Sequence, residues 1–435
     1  MARRAGYTDQ SLTKFAIVIA HISLKWSPAE NAMHATQDVK SDVKTIAPAP
    51  ADLVARARAL PLTLAARAAK AEQDRRVPHD TIADMQAAGL FRVFQPKRWG
   101  GYEMDPATYF EIQLALAEGC MSTGWVYGVV GLHPWLMGLF DDRAAQEVWG
   151  TDDTTLICSS LMPTGTAVSA PGGLRLSGRW KFSSGSEHCG WAYLGGTPAE
   201  DGKPGDRSIF LVPRSDYEIE DTWRVSGLKA TGSHDIVVKG AFVPDYRRLR
   251  WIDNFNCVGP GQSVNTSVLY RWIFGQIFFR GVSTPALGAL QGMLDAYLDY
   301  GKKRIQRNSG VAASEEAVIQ LLCAETAVAI DEMKTILHRN FKVLEGYAAR
   351  GEMPPLKQRV EYKFHNAVVA ERCSLLASRL FKAAGTAGIA ADLPFGRILN
   401  DITVGRQHIS NQFEQAGKSY GAFLFGIENN KDFVL

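Results

Sequence analysis

Ala, Leu and Arg return at helical spacing from residue 51 to about 90, which predicts two helices broken near "RRVPHD" (75–80), Asp80 capping the second and Gly89 ending it. The Pro- and Gly-punctuated "FQPKRWGGYEMDP" (94–106) predicts a loop. Helical patterns resume over 107–117, 123–140 and 143–149. From 154 to 251 the texture changes to short apolar runs, "TLICSSL", "LRLSGRWKF", "WAYLGG", "SIFLVP" and "IVVKGAFVP", each bounded by Gly, Pro or Asp. These predict an antiparallel sheet or small barrel, with "APGGL" (170–174) as a hairpin turn. The Gly- and Asn-rich stretch 254–265 reads as either a lid or a linker. Beyond it, Leu287, Leu290, Leu294 and Tyr297, then Ala317, Leu321, Ala324 and Val328, then Val360, Phe364, Val368 and Leu375, mark apolar helix faces, so a four-helix bundle is expected.

The expected organisation is therefore α+β. A lead-in (1–50), disordered or over-extended, precedes an N-terminal helical domain (51–153), a middle antiparallel β-domain (154–252) and a C-terminal helical bundle (253–435). Within the lead-in, the apolar run 15–24 resembles a signal peptide but is interrupted by His21 and too short to span a bilayer; Met33 is a plausible start.

Composition narrows the partners. The 435 residues are 46% hydrophobic, enough for a large interior, and carry 48 basic against 45 acidic residues, a net charge of +3. Without a basic block, neither nucleic acid nor an anionic membrane is an expected partner. The six cysteines are dispersed with no CxxC pair, which suits reduced thiols in a cytoplasm. The histidines show no HxxxH or HExxH spacing, so no metal site is expected.

Candidate chemistry sits in a few stretches. "FSSGSEH" (182–188) clusters hydroxyls before an acid and a histidine, but no GxSxG elbow accompanies it, and a nucleophile site is rejected. A hydrogen-bonding surface or a polar turn remains, with Glu187 and His188 reading as solvated turn. "GLKATGSHD" (227–235) lacks the GxGxxG spacing and following helix of a dinucleotide fold and reads as a turn between strands. His133, in "GLHPW", reads on residue type alone first as a core histidine. Ser159 and Ser160 read as strand-end hydroxyls, and "GKKRIQR" (301–307) as a basic helix end.

The domain order, with "QPKRWGGYEMDP", "STGWVYGVVGLHPW", "FSSGSEHCGWAYLGG", "WRVSGLKATGSHDIVV" and "GRQHISN", resembles the oxygenase components of two-component flavin-dependent monooxygenases built on the acyl-CoA dehydrogenase plan. The resemblance runs from about residue 90 to the C-terminus. It implies reduced FMN, with FADH2 possible, delivered by a separate NAD(P)H:flavin reductase, and O2 as co-substrate. It further implies a C4a-hydroperoxyflavin and insertion of one oxygen into a small aromatic substrate, ortho to a phenolic hydroxyl. His133 would face the phenolic oxygen, with Ser159 and Trp135 lining the substrate pocket. Ser184 would hydrogen-bond flavin N5, Gly185 would admit the ring closely, and Thr231 and Ser233 would contact ribityl or phosphate. His408 would assist near the reacting oxygen. Arg304 would reach a neighbouring subunit's flavin in a homotetramer. The dehydrogenases' catalytic glutamate would fall at about Ile409, which has no proton-abstracting group, and Glu414 lies too far along. Dehydrogenation is therefore disfavoured; oxidation of indole, a sulfur heterocycle or an amine on the same fold, or a catalytically silent flavoprotein, are the alternatives.

Overall fold

A computed structural model describes residues 47–200, 203–306 and 310–427. The readings of the lead-in before residue 47 lie outside the described residues. Seven helices come first: α1 (Pro50–Arg58), α2 (Pro61–Asp74), α3 (His79–Ala87), α4 (Pro106–Gly119), α5 (Met121–Val130), α6 (His133–Met137) and α7 (Asp142–Trp149). Three helices stand where two were expected before residue 90, because Pro61 opens a new helix after the chain turns at Ala59–Leu60. Asp80 lies inside the first turn of α3 rather than at its cap. The predicted helix over 123–140 is divided at Gly131–Leu132, just ahead of Pro134, into α5 and α6.

Eight strands follow: β1 (Ile157–Ala170), β2 (Gly173–Ser183), β3 (Trp191–Glu200), β4 (Lys203–Pro204), β5 (Ser208–Pro213), β6 (Glu218–Glu220), β7 (His234–Pro244) and β8 (Arg248–Arg250). They form one sheet in the order β6-β7-β2-β1-β3-β5-β8, with β4 paired to β3. The β1–β2 hairpin turns where "APGGL" predicts, with Gly172 at φ 77°. One pairing departs from the antiparallel expectation: β1 and β3 run parallel, Ile157 opposite Trp191 and Ser159 opposite Tyr193. The crossover that parallel strands require is the β2 strand plus the 184–190 turn, so this turn is carried from one side of β1 to the other.

After α8 (Trp251–Phe255) the connection is packed: Asn265 donates to the Gly138 carbonyl (3.1 Å), and Gly259 and Gly261 lie against the backbone of 138–140. The bundle comprises α9 (Phe274–Lys303), α10 (Ala317–Arg350) and α11 (Leu356–Ala384), closed by α12 (Phe395–Gly405) and α13 (Phe413–Leu424). The α9 face Leu287, Leu290, Leu294, Tyr297 is buried as predicted. The α10 face is not: Leu321 and Val328 are each 59% exposed, while Leu322, Ala329, Ile330, Met333 and Leu337 turn inward. Helix α10 is apolar on two faces, and periodicity alone does not say which one meets its own chain.

Two hydrophobic cores meet at α5. Val126, Tyr127 and Val130 belong to the core under the sheet, with Trp180, Tyr193 and Phe210, while Met121, Trp125 and Val129 belong to the bundle core, with Leu290, Met333 and Phe395. Among the described residues no helix is long and apolar enough to cross a membrane.

Trp180 tests the sheet packing. Its indole donates to the Gly195 carbonyl (2.6 Å), and a Cβ on Gly165 would stand 2.2 Å from its ring. Gly165→Ala is expected to cost about 1–3 kcal/mol by overpacking. Gly421→Ala, in open space on α13, is expected to be neutral or gain up to about 1 kcal/mol. Urea denaturation of both variants checks the contrast.

Candidate active site

The seam between the two cores holds the chemistry. Strand β2 ends in a turn where Phe182 takes φ 67° and Gly185 φ 69°. Phe182 is a bulky residue in the left-handed region, 65% exposed, its ring edge-on to Trp223 at 5.8 Å. A Cβ on Gly185 would stand 2.8 Å from Val126 Cγ1, so this turn must approach α5 closely. Gly185 N–H donates to the Thr231 carbonyl (2.8 Å), fastening the turn to the 228–233 segment.

Side chains complete that fastening. Trp125 Nε1–H donates to Ser184 Oγ (3.2 Å), Ser184 Oγ meets Ser233 Oγ at 2.8 Å, Ser233 Oγ meets Thr231 Oγ1 at 2.6 Å, and Thr231 Oγ1–H donates to the Leu228 carbonyl (2.9 Å). All three hydroxyls are buried. The Leu228 carbonyl also accepts from Trp223 Nε1 (2.9 Å) and the Thr231 amide (3.1 Å). Leu228 itself sits at φ 53°, and its own N–H donates to Asp401 Oδ1 on α12 (2.6 Å). Burial pushes Asp401 up to about 7, Glu72 adding to the rise and the Leu228 N–H, Arg397 and Lys229 opposing it.

His408 follows α12 and caps a short turn, its Nδ1 accepting the Ser410 N–H (3.1 Å). An Nδ1 that accepts leaves the proton on Nε2, so the neutral ring offers Nε2–H as a donor. The ring lies edge-on to Trp125 at 5.7 Å and near Phe278 at 6.0 Å. His133 carries the opposite tautomer: its Nδ1 stands 2.6 Å from the Ile157 carbonyl, which only accepts, so Nε2 is left as the acceptor. Burial lowers both imidazoles to about 4, so both are neutral at pH 7. His133 is edge-on to Tyr193 at 5.4 Å, and the Tyr193 hydroxyl is buried with no hydrogen-bond partner.

Ser184, Ser233, Thr231 and His408 thus share one cluster around Trp125. His133, Ser159 and Tyr193 form a second, joined by Ile157 and the β1–β3 pairing. Helix α5 links the two clusters, presenting Trp125, Val126 and Val130 to the 184–185 turn before the chain enters α6 at His133. Ser160 donates to the Lys181 carbonyl (2.7 Å), which leaves Ser159 as the less committed hydroxyl of the pair. Trp135 is wholly buried, its indole held by the Leu269 carbonyl (2.8 Å) and its ring stacked on Phe274 at 5.9 Å. Arg304 donates to the Ala383 carbonyl and lies over the Tyr300 ring, not beside Thr231 or Ser233. His188 is not a solvated turn residue: it packs edge-on to His79 at 4.9 Å, and burial lowers it to about 4. Ile409 is 70% exposed and Glu414 is exposed on α13, so the disfavoured dehydrogenase position holds no buried carboxylate.

Trp125, Phe182, Tyr193 and Phe278 have no role assigned from the sequence, and Asp401 serves there only to place the dehydrogenase carboxylate position at about Ile409. Trp125 alone carried a visible signal, a single large ring in the small-residue run "STGWVYGVV". The exposed Phe182 ring beside Ser184, with Gly185 and Gly232 (φ 52°) keeping the backbone low, fits a planar heterocycle with polar edge atoms such as the isoalloxazine of a flavin. Among the described residues no group of His, Cys, Asp or Glu is placed to hold a metal ion.

Comparison with known proteins agrees with this architecture. The acyl-CoA dehydrogenase N-terminal domain model matches residues 55–140, and the acyl-CoA dehydrogenase C-terminal domain model matches 280–413. The flavin-dependent monooxygenase oxygenase subunit HsaA of Rhodococcus jostii (strain RHA1) is 36% identical over 84% of this chain and 96% of its own length. The FADH(2)-dependent resorcinol hydroxylase oxygenase component of Rhizobium sp. (strain MTP-10005) is 31% identical over 83% and 91%. The crystal structure of 3-HSA hydroxylase from Rhodococcus sp. RHA1 superposes with a TM-score of 0.84 at 34% identity, covering 88% of this chain and 99% of that one.

Asp401 generates a pH-dependent expectation. Its folded value, about 7, lies above the ordinary 3.8, so between those values the folded state holds a proton that the unfolded chain releases. Stability from this group therefore falls as pH rises from about 4 to 7, and the cost of the buried charge is complete above 7. Asp401→Asn keeps an oxygen for the Leu228 amide and removes that charge. It is expected to raise stability at pH 8 by up to about 4 kcal/mol, one pKa unit being about 1.4 kcal/mol, and by little at pH 4.5. Urea midpoints at the two pH values check this.

Proposed function

This chain belongs to the flavin-dependent monooxygenase oxygenase components of the acyl-CoA dehydrogenase family, and from that membership we propose that it hydroxylates a small phenolic substrate ortho to its hydroxyl, using reduced flavin supplied by a separate NAD(P)H:flavin reductase. The flavin is reduced FMN or FADH2, the second being the form named in the resorcinol hydroxylase. Bound reduced flavin, together with O2, supplies an electrophilic oxygen atom. The protein supplies position, dryness and proton placement.

Ser184 and Gly185 line the N5 edge of the ring, and Phe182 offers it an aromatic face. His133 carries the phenol reading: with its Nδ1–H committed to Ile157, Nε2 has only a lone pair to present, the group a phenolic O–H needs. At a value of about 4 this imidazole does not carry off a phenolic proton in advance. It accepts the hydrogen bond that strengthens as the ring is attacked and the phenolic oxygen turns acidic, which is where acceptor strength counts. His408, presenting Nε2–H, is the complementary donor for the oxygen being transferred or for its leaving partner. The orphaned Tyr193 hydroxyl and Ser159 add polar contacts on the His133 side.

Assembly as a homotetramer is supported by the exposed apolar stripe Val318, Leu321 and Val328 on α10. Arg304, which meets the Ala383 carbonyl and the Tyr300 ring of its own chain, would then serve a neighbour. A cytoplasmic setting is supported by six cysteines that all stand unpaired.

The test combines the chain with a generic NAD(P)H:flavin reductase, FMN or FAD, and a panel of phenols and indoles under 18O2. A catechol carrying one 18O is the expected product. His133→Ala should lower kcat/KM for the phenol about 100-fold or more while leaving the flavin dissociation constant within about threefold. Undiminished hydroxylation by His133→Ala, or turnover of indoles alone, contradicts the assignment.

A further inference from the structure

We propose that Thr231 and Ser233 are positioning residues that make the site select reduced over oxidised flavin, by forcing the Ser184 hydroxyl to act as a hydrogen-bond acceptor. The inference rests on the reading that Ser184 faces N5. Thr231 and Ser233 then act through Ser184, where the resemblance implies ribityl or phosphate contacts.

A hydroxyl has one hydrogen to give and two lone pairs to receive with. The Leu228 carbonyl can only accept, so the Thr231 hydroxyl spends its hydrogen there. The 2.6 Å contact between Thr231 and Ser233 must then use the hydrogen of Ser233. Ser233 has none left, so the 2.8 Å contact with Ser184 must use the hydrogen of Ser184. The Trp125 indole, which can only donate, occupies one lone pair of Ser184. What remains on Ser184 is a single lone pair and no hydrogen.

Flavin N5 changes character with oxidation state. Reduced, it bears a hydrogen and donates; oxidised, it bears a lone pair and accepts. The Ser184 acceptor therefore matches N5–H of the reduced ring and meets the oxidised ring lone pair to lone pair. Reversing the relay would require Thr231 to abandon the Leu228 carbonyl. All three hydroxyls are buried, where an unmade hydrogen bond is costly. One hydrogen bond's difference corresponds to about tenfold in an equilibrium constant.

The Leu228 carbonyl, which can only accept, sets the direction of the chain, and the Trp125 indole, which can only donate, fills one of the two lone pairs left at its far end. A hydroxyl cluster without the carbonyl end could flip and would serve either oxidation state.

The experiment measures the dissociation constant of oxidised FMN by fluorescence quenching and the midpoint potential of protein-bound FMN by dye equilibration under nitrogen. No turnover is needed. Wild type is expected to hold bound FMN at a more positive potential than free FMN, meaning tighter binding of the reduced form. Ser233→Ala frees the Ser184 hydrogen to turn towards N5, and the reduced-to-oxidised preference should shrink about tenfold, a shift of about 30 mV to more negative potential for a two-electron couple. Thr231→Val should act in the same direction, because Ser233 can then donate to Ser184. Ser233→Thr and Thr231→Ser keep the hydroxyls and should restore the wild-type potential. In a Ser184→Ala background, Ser233→Ala should move the potential no further.

Equal affinity of wild type for both oxidation states overturns the inference. So does a Ser233→Ala variant that weakens both forms equally, or one whose shift persists in the Ser184→Ala background. Wild type that binds neither oxidation state overturns the flavin reading itself, an outcome distinct from a flavin-binding protein without selectivity.

Discussion

The backbone at Leu228 is the point on which the rest of the site hangs. Held in the left-handed region, it turns its amide to the buried Asp401 carboxyl and its carbonyl to three donors, Trp223, the Thr231 amide and the Thr231 hydroxyl. The first contact ties the 228–233 segment to α12, the helix that delivers His408. Of the others, Trp223 ties it to the loop that follows β6, and the Thr231 hydroxyl sets the direction of the relay ending at Ser184. Gly227 has no room for a side chain against the α12 backbone, and Gly405 none against Met121 and Trp125, so the same neighbourhood is closed sterically as well. The Leu228 amide favours the charged carboxylate, but burial outweighs it and holds Asp401 at about 7.

Burial does a second job at the two imidazoles. It lowers both to about 4 and so fixes both as neutral, after which the partner on Nδ1 decides which ring accepts and which donates. The Ile157 carbonyl makes His133 an acceptor; the Ser410 amide makes His408 a donor. A site that must exclude water from a reactive oxygen gains polarity without charge in this way. The cost is a weak base at His133, which limits it to hydrogen bonding in the ground state.

Much of this plan is legible in the sequence. The order helices, sheet, bundle follows from where the hydrophobic period changes from about 3.6 to 2 and back. Ser184 stands out because a hydroxyl cluster with a glycine ends a strand. Other features are not readable from one strand of text. The parallel β1–β3 pairing depends on which strands become neighbours, not on their composition. The outward α10 face is as apolar as the inward one, and only its partners distinguish them. Trp135 and His133 are near neighbours in sequence, yet one is sealed by Leu269 and the other meets Tyr193, a difference set by segments more than fifty residues away. Trp125 and Asp401 act through bonds to residues 59 and 173 positions distant, beyond any local pattern.

The central claim is that one seam between two hydrophobic cores receives the N5 edge of a flavin at Ser184. A crystal structure of the chain soaked anaerobically with reduced FMN tests it most directly. The account predicts the ring against Phe182 and Gly185, N5 within hydrogen-bond distance of Ser184 Oγ, and a void beside it bordered by His133 and His408. A ring bound elsewhere, or one whose N5 faces only backbone while Ser184 stays turned away, contradicts it.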